Sequence, residues 1–257
     1  MINLPPALIP WVVALGLNTI LLLIAAIAPK KLLTPSGLAN AWLLGVLIWG
    51  ILGWQGYTVV MFYFLVGSAV TRIGFAKKEA AGIAEQRSGA RGPENVWGSA
   101  LVATVCALGV ALNQNSEFIL IPTPVLLLAY IASFSTKLSD TVASEVGKAY
   151  GKRTFLITTL KPVSPGTEGA VSLEGTLAGI LASVIIAVVG WVVGLMSSIG
   201  ILYCTIAAFI ATNLESLIGA TLQEKFDFLT NEVVNIINTF LGAVIAGAIF
   251  LAVTSYQ

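Results

Sequence analysis

The chain has 257 residues, of which 57% are hydrophobic and only 10% are charged, and its net charge is +1. A soluble domain carries about 25% charged residues, so this composition excludes a water-soluble surface and indicates an integral membrane protein. The near-zero net charge gives no electrostatic basis for a nucleic-acid partner, and a sequence without histidine excludes imidazole bases and histidine-ligated zinc.

Eight apolar stretches along the chain are long enough, or nearly long enough, to cross a bilayer as helices. They cover residues 7–28, 38–52, 57–73, 96–112, 118–134, 175–196, 199–222 and 233–253. Two long polar connections, residues 74–95 and 135–174, interrupt them. The sequence therefore predicts an all-α polytopic membrane protein with about eight transmembrane helices, forming a single domain over residues 1–257.

The basic residues are unevenly distributed between the connections. All 13 lysines and arginines lie at or after odd-numbered helices. By the positive-inside rule, this predicts that both termini lie outside and that both long loops are cytoplasmic. The first apolar stretch leads to no small-residue cleavage site, so a retained helix is expected. The lack of a transit peptide favours a bacterial inner membrane or a cyanobacterial thylakoid membrane.

The polar segment 135–153 carries the most chemical functionality. Small and acidic residues recur at helical spacing on one face: Asp140, Ser144, Gly147 and Gly151. Cations around an acid recur on the neighbouring face: Lys137, Thr141, Glu145, Lys148 and Lys152. Carboxylates beside lysines at a membrane border suit a magnesium–phosphate complex. A helix-packing face with two spaced glycines and solvated charges explains the same pattern, so both interpretations stay open.

A second acid, Glu215, lies within the seventh apolar stretch and is followed at helical spacing by Gly219 and Gln223. A lone carboxylate in that position costs several kcal/mol unless it is paired or bound to a cation. A metal ion and a salt bridge to a lysine would both meet that requirement.

Other polar groups are predicted to reach the same membrane border. Amides occur before Glu215 and as a stripe at the start of the last helix: Asn213, Asn231, Asn235 and Asn238. A glycine-rich loop suited to phosphate binding by backbone N–H groups contains Gly166, Thr167 and Gly169. Arg91 and Asn95 lead into the fourth helix and would reach phosphates. Interhelical hydrogen bonds explain the amides equally well, and a positive-inside anchor explains Arg91.

Three blocks of the sequence together resemble a known family. They are residues 139–147 (SDTVASEVG), 166–176 (GTEGAVSLEGT) and 215–223 (ESLIGATLQ). They resemble the transmembrane-protein-19-like family of integral membrane proteins, whose plant and cyanobacterial members are phytyl-phosphate kinases of the vitamin E pathway. The run from Asp140 to Lys152, an Asp followed by small residues and two spaced glycines before a basic residue, is also loosely similar to the signature of dolichol kinases, phytol kinases and phosphatidate cytidylyltransferases. The family is expected to have Asp at the position of Glu215, where this chain keeps the charge on a longer side chain.

The resemblance implies Mg²⁺-dependent phosphoryl transfer from a nucleoside triphosphate, CTP in preference to ATP, to phytyl phosphate. The product, phytyl diphosphate, would serve tocopherol biosynthesis. An acceptor phosphate is already ionised, so this reaction requires no general base and suits a chain without histidine. Membrane lipids would surround the isoprenoid substrate.

We therefore expect a metal–phosphate site built from these blocks. The expected metal ligands are Asp140, Glu145 and Glu215. The expected catalytic cations are Lys137 and Lys148. The expected nucleotide- and phosphate-binding residues are Arg91, Asn95, Ser144, Lys152, Gly166, Thr167, Gly169, Asn213, Asn235 and Asn238.

Two alternatives use the same residues differently. A CTP-dependent cytidylyltransferase would join CMP to a lipid phosphate. A transporter would use intramembrane acids and amides, although here the acids lie near one border and not at the midplane.

Overall fold

The computed structural model describes residues 5–29, 31–116, 119–223 and 225–255. The helices are α1 (Ile9–Ile27), α2 (Pro35–Thr71), α3 (Phe75–Ala80), α4 (Pro93–Asn115), α5 (Thr123–Tyr150), α6 (Leu173–Val192), α7 (Ile199–Ile218) and α8 (Asn231–Thr254). Two short strands, β1 (Thr154–Leu156) and β2 (Ala170–Ser172), pair antiparallel between α5 and α6. Short 3-10 turns occupy Pro6–Leu8 and Gln86–Gly89, and a π-helical turn, Gly219–Gln223, extends α7.

Helix α2 is 37 residues long but turns back on itself at Gly53. Gly53 has φ 63° and ψ −160°, a backbone conformation that is essentially restricted to glycine. The rings of Trp49 and Tyr57, on either side of it, lie 5.1 Å apart. A continuous helix would separate Trp49 and Tyr57 by about 12 Å along its axis. Residues 35–52 and 54–71 are therefore the two arms of a helical hairpin.

Seven described helices are long and apolar enough to cross a membrane when α2 is counted once. The two arms of α2 correspond to the second and third apolar stretches of the sequence. With the arms counted separately, the helices account for all eight predicted apolar stretches. The predicted all-α membrane fold is confirmed, with the small β1–β2 hairpin as an addition.

Helix α5 departs furthest from the sequence prediction. The fifth apolar stretch was expected to end at residue 134, whereas α5 continues through the polar segment to Tyr150. Ser135, Lys137 and Ser139 in this second half are buried. Helices α2, α4, α6, α7 and α8 all pack against α5, so its polar side chains face protein and not lipid. Hydropathy alone does not detect a helix of this kind.

The glycines of the polar segment pack α5 against α6. A methyl group added to Gly175 of α6 would lie 2.5 Å from the carbonyl oxygen of Ala143 and 3.3 Å from Gly147. A methyl group on Gly147 would lie 3.2 Å from the Ser172 hydroxyl, which caps α6 by accepting a hydrogen bond from the Gly175 N–H. The helix-packing interpretation of these glycines is therefore confirmed, and it leaves the rest of the face free to line a site.

Connections rich in basic residues meet at one end of the helix bundle. The Arg91 backbone N–H donates to the Leu32 carbonyl (2.9 Å), and its carbonyl accepts from the Thr34 N–H (3.0 Å). The Lys77 ammonium donates to the Ala149 carbonyl at the end of α5 (2.8 Å). These bonds join the α1–α2 connection to the α3–α4 connection, and α3 to the end of α5. The positive-inside rule assigns this end of the bundle to the cytoplasm.

Candidate functional site

A polar cavity of about 190 Å³ lies at the basic end of the bundle, between α5, α6, α7, α8 and the loop before β2. It brings together most of the residues that the sequence singled out. Those that line it are Lys137, Asp140, Ser144, Glu145, Lys148, Gly166, Thr167, Gly169, Asn213, Glu215 and Asn235. These polar side chains would be costly to expose to lipid. In the folded protein they face one another in the cavity instead.

Lys137 is held at the wall of this cavity by two charge-assisted hydrogen bonds. Its ammonium nitrogen lies 2.5 Å from an oxygen of Asp140 and 2.6 Å from the amide oxygen of Asn235. The side chain is buried, so these bonds act in a medium of low dielectric constant. An ammonium group has three donors, which leaves one for a ligand. The second carboxylate oxygen of Asp140 accepts no hydrogen bond from any residue that the structure describes.

Glu215 is half-buried and also lines the cavity. Within the described ranges it forms no ion pair and no hydrogen bond, so the alternative of a salt bridge to a lysine is not realised. Its charge interacts with the like charges of Asp140 and Glu168 and with the opposite charges of Lys137 and Lys148. A carboxylate in this setting is open to coordinate a cation.

Glu145 is placed differently from the other two acids. It lines the cavity, but its carboxylate forms a buried ion pair with Lys78 of α3 and lies 3.9 Å from Lys148. Lys78 also donates to the Thr71 carbonyl (2.8 Å), so it joins the first long connection to α5. A structural role explains this arrangement. This role of Lys78 could not be predicted from the sequence, because the pair Lys77–Lys78 has the pattern of an ordinary positive-inside anchor.

The predicted glycine-rich loop packs directly against the end of α7. Gly166 and Gly169 have φ values of 88° and 73°, which favour glycine. A methyl group on Gly169 would lie 2.6 Å from the Ser216 carbonyl, so the turn abuts the residue after Glu215. This packing brings Glu168 to the cavity. Glu168 lies in the second sequence block. The glycines around it predict phosphate binding by backbone N–H groups, and they indicate no role for the Glu168 side chain.

A second polar cavity of about 390 Å³ adjoins the first and shares Lys137, Lys148 and Asn235 with it. It reaches Arg91 and Asn95, and so links the start of α4 to the site. Glu85, in the first long connection, lines both cavities. No spacing rule in the sequence would have singled it out, because it lies outside any helix.

Arg91 is half-buried and rests on an aromatic ring. Its guanidinium donates to the Tyr63 hydroxyl (2.9 Å) and lies 5.4 Å from the centre of that ring. The Tyr63 hydroxyl in turn donates to Ser99 (2.9 Å). Arg91 has no carboxylate partner in the described part of the chain. Asn95 accepts hydrogen bonds from Arg87 and from the Gly92 N–H, and so caps α4.

Two predicted site residues lie away from both cavities. Lys152 is exposed beyond the end of α5. Asn238 is fully buried in α8, and neither its amide oxygen nor its amide nitrogen has a hydrogen-bond partner among the described residues. The predicted amide stripe therefore places Asn231 and Asn235, but not Asn238, at the site.

A third cavity, of about 340 Å³, is apolar and lies between α1, the α2 hairpin and α4. Leucine, valine and alanine side chains form most of its wall. Its polar boundary is shared with the second polar cavity: Tyr63, Arg91, Asn95 and Ser99 line both. We refer to it below as the apolar groove.

The chemistry of these groups suits a magnesium–phosphate complex. Among the described residues, no three acidic side chains converge closely enough to hold a metal ion by themselves. Magnesium is typically held by one or two carboxylates together with water and substrate phosphates, so a closed protein cage is not required. Asp140 and Glu215 supply open carboxylate oxygens, and the lysines supply the positive charge that phosphates need.

Comparisons with known proteins agree with this architecture. The family model described as "Integral membrane protein DUF92" matches residues 18–243. The chain is 68% identical to the uncharacterized membrane protein sll0875 of Synechocystis sp., over 92% of this chain and 90% of that protein. It is 43% identical to Protein VTE6, chloroplastic, of Arabidopsis thaliana, over 92% of this chain and 71% of that protein. It is 31% identical to the membrane protein MJ0933 of Methanocaldococcus jannaschii, over 93% and 95% of the two chains.

No solved structure matches the chain. The resemblance drawn from the three sequence blocks is confirmed by these relatives. The match to an integral membrane family, with one cyanobacterial and one chloroplast relative, fits the expected bacterial or thylakoid membrane.

Proposed function

Because the chain belongs to the DUF92 family of integral membrane proteins, we propose that its polar cavities catalyse phosphoryl transfer from a nucleoside triphosphate to an isoprenoid monophosphate. One observation carries the proposal: open carboxylate oxygens of Asp140 and Glu215 share a cavity with two lysines at a membrane border. The three sequence blocks, which resemble phytyl-phosphate kinases, support phytyl phosphate as the acceptor. The cyanobacterial and chloroplast relatives accord with that choice.

The reaction joins the two substrates through one new bond. A non-bridging oxygen of the prenyl phosphate attacks the γ-phosphorus of the nucleotide. The bond from that phosphorus to the β,γ-bridging oxygen breaks, and its electron pair leaves with the nucleoside diphosphate. The products are prenyl diphosphate and nucleoside diphosphate. The attacking oxygen is already ionised near neutral pH, so no side chain has to remove a proton.

The protein's contribution is then positioning and charge neutralisation. Asp140 and Glu215 would hold Mg²⁺, which when bound offsets the negative charge of the triphosphate. Lys137 would donate its remaining N–H to a phosphate oxygen, while Asp140 and Asn235 fix its direction. Lys148, which is partly exposed at the cavity wall, would neutralise a second oxygen. The turn at Gly166–Gly169 would offer backbone N–H groups to the nucleotide phosphates.

The proposal is tested with purified protein, phytyl phosphate, Mg²⁺ and each of four nucleoside triphosphates, with lipid and nucleotide products identified by mass. We expect phytyl diphosphate and a nucleoside diphosphate, formed with CTP in preference to ATP. Release of pyrophosphate with a CMP-linked lipid would instead establish a cytidylyltransferase. Formation of neither lipid product, together with nucleotide-independent flux of phytyl phosphate into proteoliposomes, would establish a transporter.

A further inference from the structure

The apolar groove begins at the site and runs into the membrane. Along α1 its wall extends from Ala28, the residue after the helix at the basic end, to Asn18, in the middle of the helix. This stretch of helix is about 15 Å long. The groove is therefore an apolar cavity of about 340 Å³ that extends from the basic end about halfway along α1.

The mouth of the groove carries a positive charge without a carboxylate partner in the described part of the chain. Arg91 lines both the apolar groove and the second polar cavity, together with its hydrogen-bond partner Tyr63. A guanidinium group binds phosphate through paired N–H donors. An amphiphile with its chain in the groove would thus present its head group to Arg91, beside the cavity that holds Lys137.

The deep end of the groove is closed by groups that need no ligand. The Asn18 amide oxygen accepts from the Tyr57 hydroxyl (3.0 Å), and its nitrogen donates to the Ala14 carbonyl (2.9 Å). Both Asn18 and Tyr57 are buried. Gly45 of α2 leaves room for Asn18, because a methyl group on Gly45 would collide with that side chain. This end therefore acts as a wall that limits the length of an occupant.

We propose that the apolar groove binds the isoprenoid chain of the acceptor and that Arg91 binds its phosphate. The inference rests on the proposed function for the identity of the acceptor. The acceptor phosphate then approaches from the side of α4, and the nucleotide approaches from the side of α6 and α7. The wall at Asn18 and Tyr57 makes the groove selective for chain length.

Direct labelling tests where the chain lies. A prenyl monophosphate with a diazirine in its chain is cross-linked to the full-length protein in nanodiscs without nucleotide, and labelled peptides are mapped by mass spectrometry. We expect labels on α1, on the α2 hairpin and on the start of α4, removed by excess phytyl phosphate. Labels on α6 or α7, or equal competition by phosphatidylglycerol, would overturn the proposal. The second result would mark the groove as a site for ordinary bilayer lipid.

A matched pair of substitutions tests the depth of the groove. Leu22 lines the groove, whereas its neighbour Leu23 is 59% exposed and does not line it. We expect Leu22→Trp to raise about tenfold the concentration of phytyl phosphate that suppresses labelling. The indole ring would fill space that several methylene groups of the phytyl chain occupy in the wild-type protein. Competition by geranyl phosphate, whose chain is shorter, should change little. Leu23→Trp should change neither; equal effects of both substitutions would overturn the assignment.

A second pair tests the role of Arg91. In the wild-type protein we expect phytyl phosphate to suppress labelling at far lower concentration than phytol does. We expect Arg91→Gln to abolish that preference. Arg91→Lys should restore part of it. The backbone bonds of Arg91 to Leu32 and Thr34 do not involve the side chain, so the fold is preserved. Arg72→Gln is the control, since Arg72 binds the Lys31 carbonyl at the same end but does not line the groove. An unchanged preference in Arg91→Gln would overturn the proposal.

The labelling experiment separates this proposal from the proposed function. Labels in the groove without formation of prenyl diphosphate would refute the kinase and leave the groove assignment standing. Formation of prenyl diphosphate with labels on α6 or α7 would support the kinase and refute the groove assignment.

Discussion

The ammonium group of Lys137 and the side-chain amide oxygen of Asn235 lie 2.6 Å apart, although 98 positions separate the two residues in the chain. The bond ties α5 to α8 at the cavity wall. It also fixes the Lys137 ammonium against Asp140, so the direction of that carboxylate depends on a residue of the last helix.

Replacing Asn235 tests this coupling. Asn235→Ala removes one hydrogen bond to a charged group, and we expect turnover to fall by about tenfold while the protein stays folded. Steady-state formation of prenyl diphosphate measures the loss. Asn115→Ala, which removes only an exposed bond to the Ala111 carbonyl at the opposite end of α4, is the control. Similar losses in both variants would mean that Asn235 acts only through general stability.

Loss of charge at either of the two open acids should impair turnover. We expect Asp140→Asn, which is nearly isosteric, to reduce Mg²⁺-dependent turnover by about a hundredfold or more with folding retained. Glu215→Gln should have a similar effect, and Glu215→Asp a milder one because it keeps the charge. Turnover measured over a range of Mg²⁺ concentrations distinguishes loss of metal binding from loss of chemistry. Near-normal turnover in Asp140→Asn would remove this residue from the site.

The buried ion pair between Lys78 and Glu145 should behave as a structural element. Glu145→Gln leaves the buried Lys78 without a counter-charge and should destabilise the protein by about 3–5 kcal/mol. The double variant Lys78→Met with Glu145→Leu should recover most of that stability and retain turnover. Thermal unfolding in detergent and turnover are measured on all three proteins. A stable but inactive double variant would instead show that Glu145 serves the reaction directly.

Much of this molecule could be predicted from its sequence. The apolar stretches were enough to predict the helices, and the distribution of basic residues was enough to predict a common membrane border for Asp140, Glu215 and Asn235. The extent of α5 could not be predicted by hydropathy, because burial among other helices replaces lipid as its environment. The partner of Glu145 could not be predicted for a different reason. Lys78 lies in α3, and only tertiary packing brings it to Glu145 of α5. Glu85 and the apolar groove likewise depend on how separate segments meet.

Accessibility of single cysteines tests the membrane orientation. The native Cys106 and Cys204 are both buried, so labelling of introduced cysteines is not obscured. We expect Gln114→Cys and Ser198→Cys to react with an impermeant maleimide added outside intact cells. Residues 81 and 164, in the two long connections, should react as cysteines only after the membrane is opened. One clear reversal would contradict the assignment of the basic end to the cytoplasm.

The turn at Gly53 should tolerate no side chain. Gly53→Ala forces a residue with a β-carbon into a conformation with φ 63°, and we expect a loss of about 1–3 kcal/mol in the free energy of unfolding. Gly16→Ala is the control, because Gly16 lies within α1 and a methyl group there would meet nothing within 4 Å. That substitution should be neutral or slightly stabilising, since alanine favours a helix. Equal unfolding temperatures for the two variants would contradict the hairpin.

The burial of the polar half of α5 has a consequence for biosynthesis. This helix leaves the ribosome before α6, α7 and α8, which supply most of the surfaces that shield its lysine and acids. On its own, a segment containing Lys137 and Asp140 is expensive to expose to lipid. Nascent α5 should therefore stay beside α4 at the insertion machinery until the last three helices arrive. Chains truncated after Tyr150 should consequently be released poorly into the bilayer and degraded quickly, whereas chains truncated after α4 end before the costly segment is made.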